Sequence, residues 1–529
     1  MIIMKQSRTT NTIYNFITSI GGQLLTIILQ FIVRTVFIST LGKEYLGISG
    51  LFSNILQMLS LAELGFGSAI LFKLYEPISK NDTKRINLLL KLYKKVYQFV
   101  GLFIIVIGVL LIPFLKYIVS DYDSLKPLGI NATLIYVLYL LRTVVSYFFL
   151  AYKSAIVKAD QKEYKLNLII YLVTLITSIA QIVVLYVLRN FEIYVGILVI
   201  GVLLQNYLSA RLAQKLYPYI DDKYDENISK DELKTIFKDC GALLIYRINT
   251  VVLKATDNII ISIYLGLGTV GMYSNYYILY STIDTVFGKI FESVLHSLGN
   301  LHTTKNIEHE YIIFKTINLI ALIIGAIAGV GIACVANEFI ITWIGEDWVL
   351  AQPFSILMGI ELYGLASRQY LSKYRSAMGL FQQAKYRPLF GMIINLIVSL
   401  LLVKKLGISG VLIGTIIADW TTIMWYDPYI IHKYGLQNKF SILKYYLKNI
   451  YGVFLAGLSG VLCYLICNNF LVGLGWISVI VHAVIICIIV SMIYIIFFIK
   501  SDEVNEIKNI IKRILKKILN RVSSKKVYN

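Results

Sequence analysis

Apolar runs recur from one end of the chain to the other, separated by short polar loops. A helix needs about 20 apolar residues to cross a bilayer. Fourteen such runs are expected, at 12–40, 45–71, 96–117, 128–152, 167–188, 193–213, 241–265, 269–295, 312–336, 353–377, 389–403, 408–431, 446–467 and 474–499. The runs are continuous rather than alternating, which favours helices over barrel strands. The pattern therefore predicts an all-α polytopic membrane protein. The first run starts near Thr12 and is expected to be a span rather than a cleaved leader, because it is too long and lacks a small-residue cleavage site.

Composition agrees. Of the 529 residues 57% are hydrophobic, the mean hydropathy is +0.72, and 15% are charged, against about 25% in soluble domains. No polar block is long enough for a separate soluble domain. The net charge of +20 would suggest nucleic acid in a soluble protein. Here its placement matters more. With the N-terminus inside, 38 of the 50 Lys and Arg fall on inner loops and termini and six on outer loops. That alternation fits an even number of spans with both termini cytoplasmic.

The chain also echoes itself. Tyr152-Lys153-Ser154-Ala155, Gln161 and Tyr164-Lys165 return as Tyr374-Arg375-Ser376-Ala377, Gln383 and Tyr386-Arg387, at an offset of 222. Leu41-Gly42 with Gly47 returns as Leu265-Gly266 with Gly271, at an offset of 224. Tyr217-Pro218-Tyr219 is matched by Asp427-Pro428-Tyr429. Three echoes in order predict two pseudo-repeated six-helix bundles in the same orientation, plus two C-terminal helices. The expected division is 1–215 for the first bundle, 216–240 for a cytoplasmic linker and 241–435 for the second bundle. Two additional helices fill 436–500, and 501–529 form a basic amphipathic cytoplasmic tail.

Charges inside a bilayer are costly and mark partners or wet cavities. The predicted spans hold Arg34, Arg142, Arg247, Lys254, Lys289 and Arg368, with Glu63, Asp257, Asp284, Glu361 and Asp419. Several lie on polar stripes at helical spacing. Ser53, Gln57, Ser60 and Glu63 form one; Arg247, Thr250, Lys254 and Asp257 form another. Such stripes face a water-lined interior. Arg34, Arg142, Arg247 and Lys254 are candidates for binding an anionic head group, since cations and hydrogen-bond donors suit phosphate. Glu63, Asp257 and Asp284 are candidates for ion coupling. A structural alternative stays open, because Lys254 with Asp257 and Lys289 with Glu292 are spaced to pair.

No catalytic constellation is recognised. His296, His302 and His309 lack metal-ligand spacing, and the cysteines have no paired spacing. Asp121-Tyr122-Asp123 stands in a short outer loop without companion acids. No phosphate-binding or dinucleotide fingerprint occurs. The chain is expected not to be an enzyme and to need no cofactor or metal beyond Na⁺ or H⁺ coupling.

Leu41-Gly42-Lys43-Glu44-Tyr45-Leu46-Gly47, Glu63-Leu64-Gly65, Lys84-Arg85-Ile86, Ala159-Asp160-Gln161-Lys162 and Thr256-Asp257-Asn258 occur in order. In these the chain resembles the Wzx-type polysaccharide flippases of the MOP exporter superfamily, over nearly its whole length. The resemblance implies twelve core helices in two bundles, often with two more. It also implies transport of an undecaprenyl-diphosphate-linked oligosaccharide from the inner to the outer leaflet of the bacterial cell membrane. The implied partners are that lipid-linked glycan, membrane lipids, a polysaccharide polymerase and a chain-length regulator, with no nucleic acid. A multidrug/cation antiporter of the same superfamily is the alternative, and would favour an acidic cavity. A membrane polymerase or glycosyltransferase is another, and would need a sizeable outer loop.

Overall fold

Helices account for nearly all the ordered backbone, and no strand occurs among the described residues. The computed structural model describes residues 8–60, 66–119, 122–125, 129–222, 233, 255–303, 307–380, 382–471, 473–509 and 512. The helices are α1 (Arg8–Thr40), α2 (Lys43–Leu59), α3 (Phe66–Lys80), α4 (Thr83–Leu111), α5 (Leu115–Ile118), α6 (Ala132–Phe148), α7 (Ser154–Ala159), α8 (Glu163–Val187) and α9 (Phe191–Leu216). There follow α10 (Ala255–Leu265), α11 (Leu267–Thr303), α12 (Ile307–Ile344), α13 (Gln352–Ala377), α14 (Arg387–Leu406), α15 (Ile408–Ile430), α16 (Ile442–Asn469) and α17 (Trp476–Phe498).

Among the described residues nine helical segments are long and apolar enough to span a bilayer, or ten if α6 and the helix after it count as one bent span. These correspond to ten of the fourteen expected runs. Of the other four, two are only partly described and two are long but polar. The run at 45–71 is described as α2 and α3, with 61–65 outside the described residues. Only the last part of 241–265, α10, is described. α11 and α13 are long helices, 37 and 26 residues, but their charged and hydroxyl side chains leave them too polar to qualify as spans by hydropathy. The full count of fourteen is thus not established by apolarity alone.

The chain divides into two units, Met1–Ser274 and Asn275–Asn529, within α11. Most of the expected linker 216–240 lies outside the described residues. In the first unit α1 packs on α8, α8 on α9, α9 on α6, and α6 on both α4 and α2. Helix starts are set by local chemistry. Asp82 accepts a hydrogen bond from Arg85 N at 2.9 Å and caps α4, so the Lys84-Arg85-Ile86 motif is a first helical turn. Asn131 caps α6 in the same way. α6 then ends where Leu150 adopts φ 58°, and the chain bends by 46°. Its repeat equivalent, α13, runs straight through to Ala377.

One echo makes a contact. Gly42 (φ 102°) and Gly266 (φ 86°) occupy the left-handed region that glycine tolerates. They precede α2 and α11. A Cβ at Gly47 would strike the Leu267 carbonyl, and one at Gly271 would strike the Lys43 carbonyl. Small residues thus let the two helix starts cross backbone to backbone.

In the second unit α12 lies along α13, α13 on α15, α15 on α14, and α16 and α17 on α12. Leu322, Ala326, Tyr363, Leu455, Ile486 and Tyr494 are in its core. The start of the tail joins this unit. Residues 502–509 are helical, Val504 and Ile507 pack against the core, and Glu503 Oε1 lies 2.8 Å from Lys448 Nζ. Burial raises the Glu503 carboxyl, but the hydrogen bond and charge of Lys448 together with the nearby Lys315 hold it below its ordinary value. The remaining basic stretch of the tail lies almost wholly outside the described residues.

Candidate functional site

In the first unit the polar stripe of α2 meets α6. Ser53, Gln57 and Ser60 from α2, Tyr139, Arg142, Thr143 and Ser146 from α6, and Val202 from α9 line a cavity of about 280 Å³. Ser53, Gln57 and Ser60 stand three or four residues apart, so the helical periodicity read in the sequence brings them to one wall. Its described lining includes no Asp or Glu. Tyr139 donates to or accepts from Ser49 Oγ at 2.6 Å.

Arg34 belongs to the same interior. Its guanidinium donates to Ser274 Oγ, tying α1 to α11. Tyr139 and Tyr194 each lie within electrostatic reach of both Arg34 and Arg142. Arg34 and Arg142, which the sequence reading selected, are therefore brought into one neighbourhood. Arg247 and Lys254 lie outside the described residues, as does Glu63. Asp257 is 8% exposed in α10, beside the buried Asn258.

The second unit has the opposite character. The Arg368 guanidinium lies 3.1 Å from Glu361 Oε1, contacts Asp419, and donates to Tyr280 Oη at 2.7 Å. Tyr280 Oη in turn donates to Glu361 at 3.2 Å. Next to Arg368 in α13, Gln369 donates to Asp284 at 2.6 Å. Sequence reasoning put Arg368 among the basic residues of the spans. The structure surrounds it with acids, so this part of the unit is net acidic when its carboxyls are ionised. Tyr280 was missed; only its position one turn before Asp284 could have signalled it.

At the Lys-rich loop end of the first unit, buried Lys153 lies 2.6 Å from Asp221, and Gln214 donates to the same carboxylate at 2.7 Å. Burial would raise the Asp221 carboxyl, but Lys153 and Gln214 hold it below its ordinary value. Tyr217 donates to Asp160 at 2.6 Å; burial first, then that bond, pushes its hydroxyl well up. In the second unit Arg375, the repeat equivalent of Lys153, pairs at 3.5 Å with Asp427, which Arg387 also contacts. In the second unit two sequence echoes thus meet in space, whereas in the first the acid that holds Lys153 stands two residues beyond the Tyr217-Pro218-Tyr219 echo.

Among the described residues no group of three His, Cys, Asp or Glu side chains is placed to hold a metal ion. Lys289 and Glu292, spaced to pair, lie 3.8 Å apart with both side chains largely exposed.

The family model for "Polysaccharide biosynthesis protein" matches residues 13–296. The chain belongs to this family. No curated protein matches it. Among solved structures it is similar to the lipid II flippase MurJ in an inward closed conformation, at 16% identity and a TM-score of 0.67, over 92% of this chain and 100% of that one. It is also similar to a multidrug resistance MATE family transporter of the MOP superfamily in an inward-facing conformation, at 15% identity and a TM-score of 0.60, over 78% of this chain and 96% of that one. An outward-facing MATE transporter gives 14% identity and a TM-score of 0.53. These likenesses show the fold. The chain is a multi-pass membrane protein of the family, with a MurJ- and MATE-like fold.

Proposed function

We propose that the protein is a flippase that moves an undecaprenyl-diphosphate-linked oligosaccharide repeat unit from the inner to the outer leaflet of the cell membrane by alternating access. The exported unit would feed capsule, exopolysaccharide or O-antigen synthesis. The family match supports a role in polysaccharide export. The observation that carries the substrate class is the interior of the first unit, where Arg34 and Arg142 stand among hydroxyl and amide groups and the cavity lining holds no described carboxylate. Guanidinium groups hold phosphate oxygens through paired, charge-assisted hydrogen bonds. Such an interior suits a sugar diphosphate and opposes an organic cation.

In this reading Arg34, Arg142, Arg247 and Lys254 hold the anionic head group while the lipid tail stays in the bilayer. Asp284, Asp257 and Glu63 serve ion coupling, with Na⁺ or H⁺. Arg368 already occupies the space between Glu361 and Asp419, which favours proton exchange over a bound cation there. Both termini would be cytoplasmic, and a polymerase and a chain-length regulator would act downstream. The acidic cluster around Arg368 also favours a second reading, a cation antiporter. The two separate in liposomes reconstituted with the full chain. A flippase delivers a polyprenyl-diphosphate-linked glycan to the opposite leaflet, and the Arg247→Gln/Lys254→Gln variant loses that delivery at unchanged abundance. An antiporter moves ethidium instead.

A further inference from the structure

The function proposed above leaves one buried titratable side chain unused. His482 stands in the second turn of α17 and is 1% exposed. Both of its ring nitrogens are engaged. Nδ1 lies 2.8 Å from Glu338 Oε2 on α12, and Nε2 lies 2.7 Å from the carbonyl of Phe470, the residue that ends α16. The ring therefore ties α12, α17 and the turn between α16 and α17 together. The last carbonyls of a helix have no donor within the helix, and the Nε2 hydrogen supplies one here.

A backbone carbonyl only accepts, and so does an ionised carboxylate. A neutral imidazole has one N–H and one lone pair. One hydrogen cannot serve two acceptors. Whichever nitrogen kept it, the other would turn a lone pair on an oxygen at hydrogen-bonding distance. Two hydrogens on the ring satisfy both oxygens, and the imidazolium so formed is balanced by Glu338. A carboxyl hydrogen donated to a bare Nδ1 would hold the same single proton from the other side. The Glu338 side chain is 24% exposed against 2% for His482, so its negative charge keeps some solvation and the proton stays on the ring.

Among the described residues, the titratable groups that face this pair from α12 and α16 are thiols. Cys467 lies within electrostatic reach of Glu338, and Cys334 and Cys463 lie within reach of Cys467. An ordinary thiol, with a pKa of about 8.5, is uncharged at neutral pH, so none of the three supplies a competing charge there.

We propose that His482 and Glu338 form a proton-binding site that latches the α16–α17 pair to α12, closed while the ring carries both hydrogens and opened when one is lost. Removing the proton sets a lone pair against either Glu338 or the Phe470 carbonyl, so the latch weakens as pH rises. Leu471, next to that carbonyl, has φ 54°, a left-handed conformation unfavourable for leucine. The turn therefore depends on an outside contact to hold it. In the topology proposed above this is the outer end of the unit, so the site answers to the pH outside. The latch goes beyond the flippase reading and does not depend on it.

The test uses the full chain in lipid nanodiscs, without substrate, labelled with nitrogen-15 histidine. The chain has five histidines, and His482→Gln identifies the signal of interest. Both ring nitrogens of His482 should carry hydrogen at about pH 6 and still at about pH 7.5, where an ordinary imidazole, with a pKa of about 6.5, is mostly neutral. Backbone amide exchange over the α16–α17 turn, corrected for the intrinsic rate, should accelerate roughly tenfold or more in the wild type between about pH 6 and pH 9. Glu338→Gln separates the latch from the fold. Its amide can donate to a bare Nδ1 while Nε2 keeps its hydrogen for Phe470, so the turn should stay protected at both pH values. A bare Nδ1 in the wild type at the lower pH overturns the site. So does wild-type exchange that does not change with pH, or exchange that changes equally in Glu338→Gln.

Discussion

Lys153 and Asp221 meet at 2.6 Å at the loop end of the first unit, with the lysine buried and the carboxylate half exposed. Removing the carboxylate leaves a buried ammonium without its partner. Asp221→Asn is expected to cost roughly 1–2 kcal/mol, less than the 3–5 kcal/mol of a fully buried broken pair because water reaches Asp221. The melting temperature of the protein in detergent at pH 7 measures this. The pH dependence has a definite sign. A carboxyl held below its ordinary value stabilises above the unfolded-state pKa of about 4, and that contribution fades as pH falls through the lower folded value. The difference between wild type and Asp221→Asn should therefore be flat from pH 5 to pH 8.

Asp427 is the harsher case. It is fully buried and contacts both Arg375 and Arg387, themselves buried. Asp427→Asn leaves two enclosed guanidiniums uncompensated and should cost roughly 3–5 kcal/mol. The same thermal measurement should rank it clearly below Asp221→Asn, and equal losses would contradict the assignment of unequal burial to the two pairs.

Arg368 is held by Glu361, Asp419 and Tyr280. Arg368→Gln strands two buried carboxylates and should destabilise more than Arg368→Lys. Because the partners share one network, the cost of Arg368→Gln/Asp419→Asn should fall short of the sum of its parts by about 1–3 kcal/mol in a double-mutant cycle. Additive losses would mean the contact is incidental.

Much of this was legible beforehand. The nine or ten apolar spans among the described residues follow from hydropathy. The polar stripe Ser53, Gln57 and Ser60 follows from helical spacing, and the structure gives it a cavity to face. Of the echo residues, Arg375 and Asp427 meet in a buried pair, and Gly47 and Gly271 mark a crossing. What stayed hidden depends on contacts distant in sequence. Nothing near Arg368 announces that Asp419, on another helix, neutralises it. The bend at Leu150 was hidden because a leucine at positive φ carries no sequence signature. The polarity of α11 and α13 blurs the count of spans for the same reason that it marks them as interior helices.

The glycine crossing gives a further check. At Gly271 a methyl group would press on the Lys43 carbonyl, which is backbone and cannot swing away. Gly271→Ala gains about 1 kcal/mol of helix propensity but incurs an overpacking cost of about 1–3 kcal/mol. A net fall in melting temperature is expected, whereas Gly288→Ala in the same helix, with open space around it, should raise it slightly.

We propose that the basic interior of the first unit carries a lipid-linked glycan across the membrane. The most direct measurement uses liposomes reconstituted with the full chain and a fluorescent undecaprenyl-diphosphate-linked oligosaccharide, with leaflet exposure read by an impermeant quencher. Transfer by the wild-type protein is expected, reduced roughly tenfold or more in Arg34→Gln/Arg142→Gln, since each charge-assisted hydrogen bond contributes about 1.5–3 kcal/mol. No transfer by the wild type, or transfer at the wild-type rate by the double variant, would contradict it.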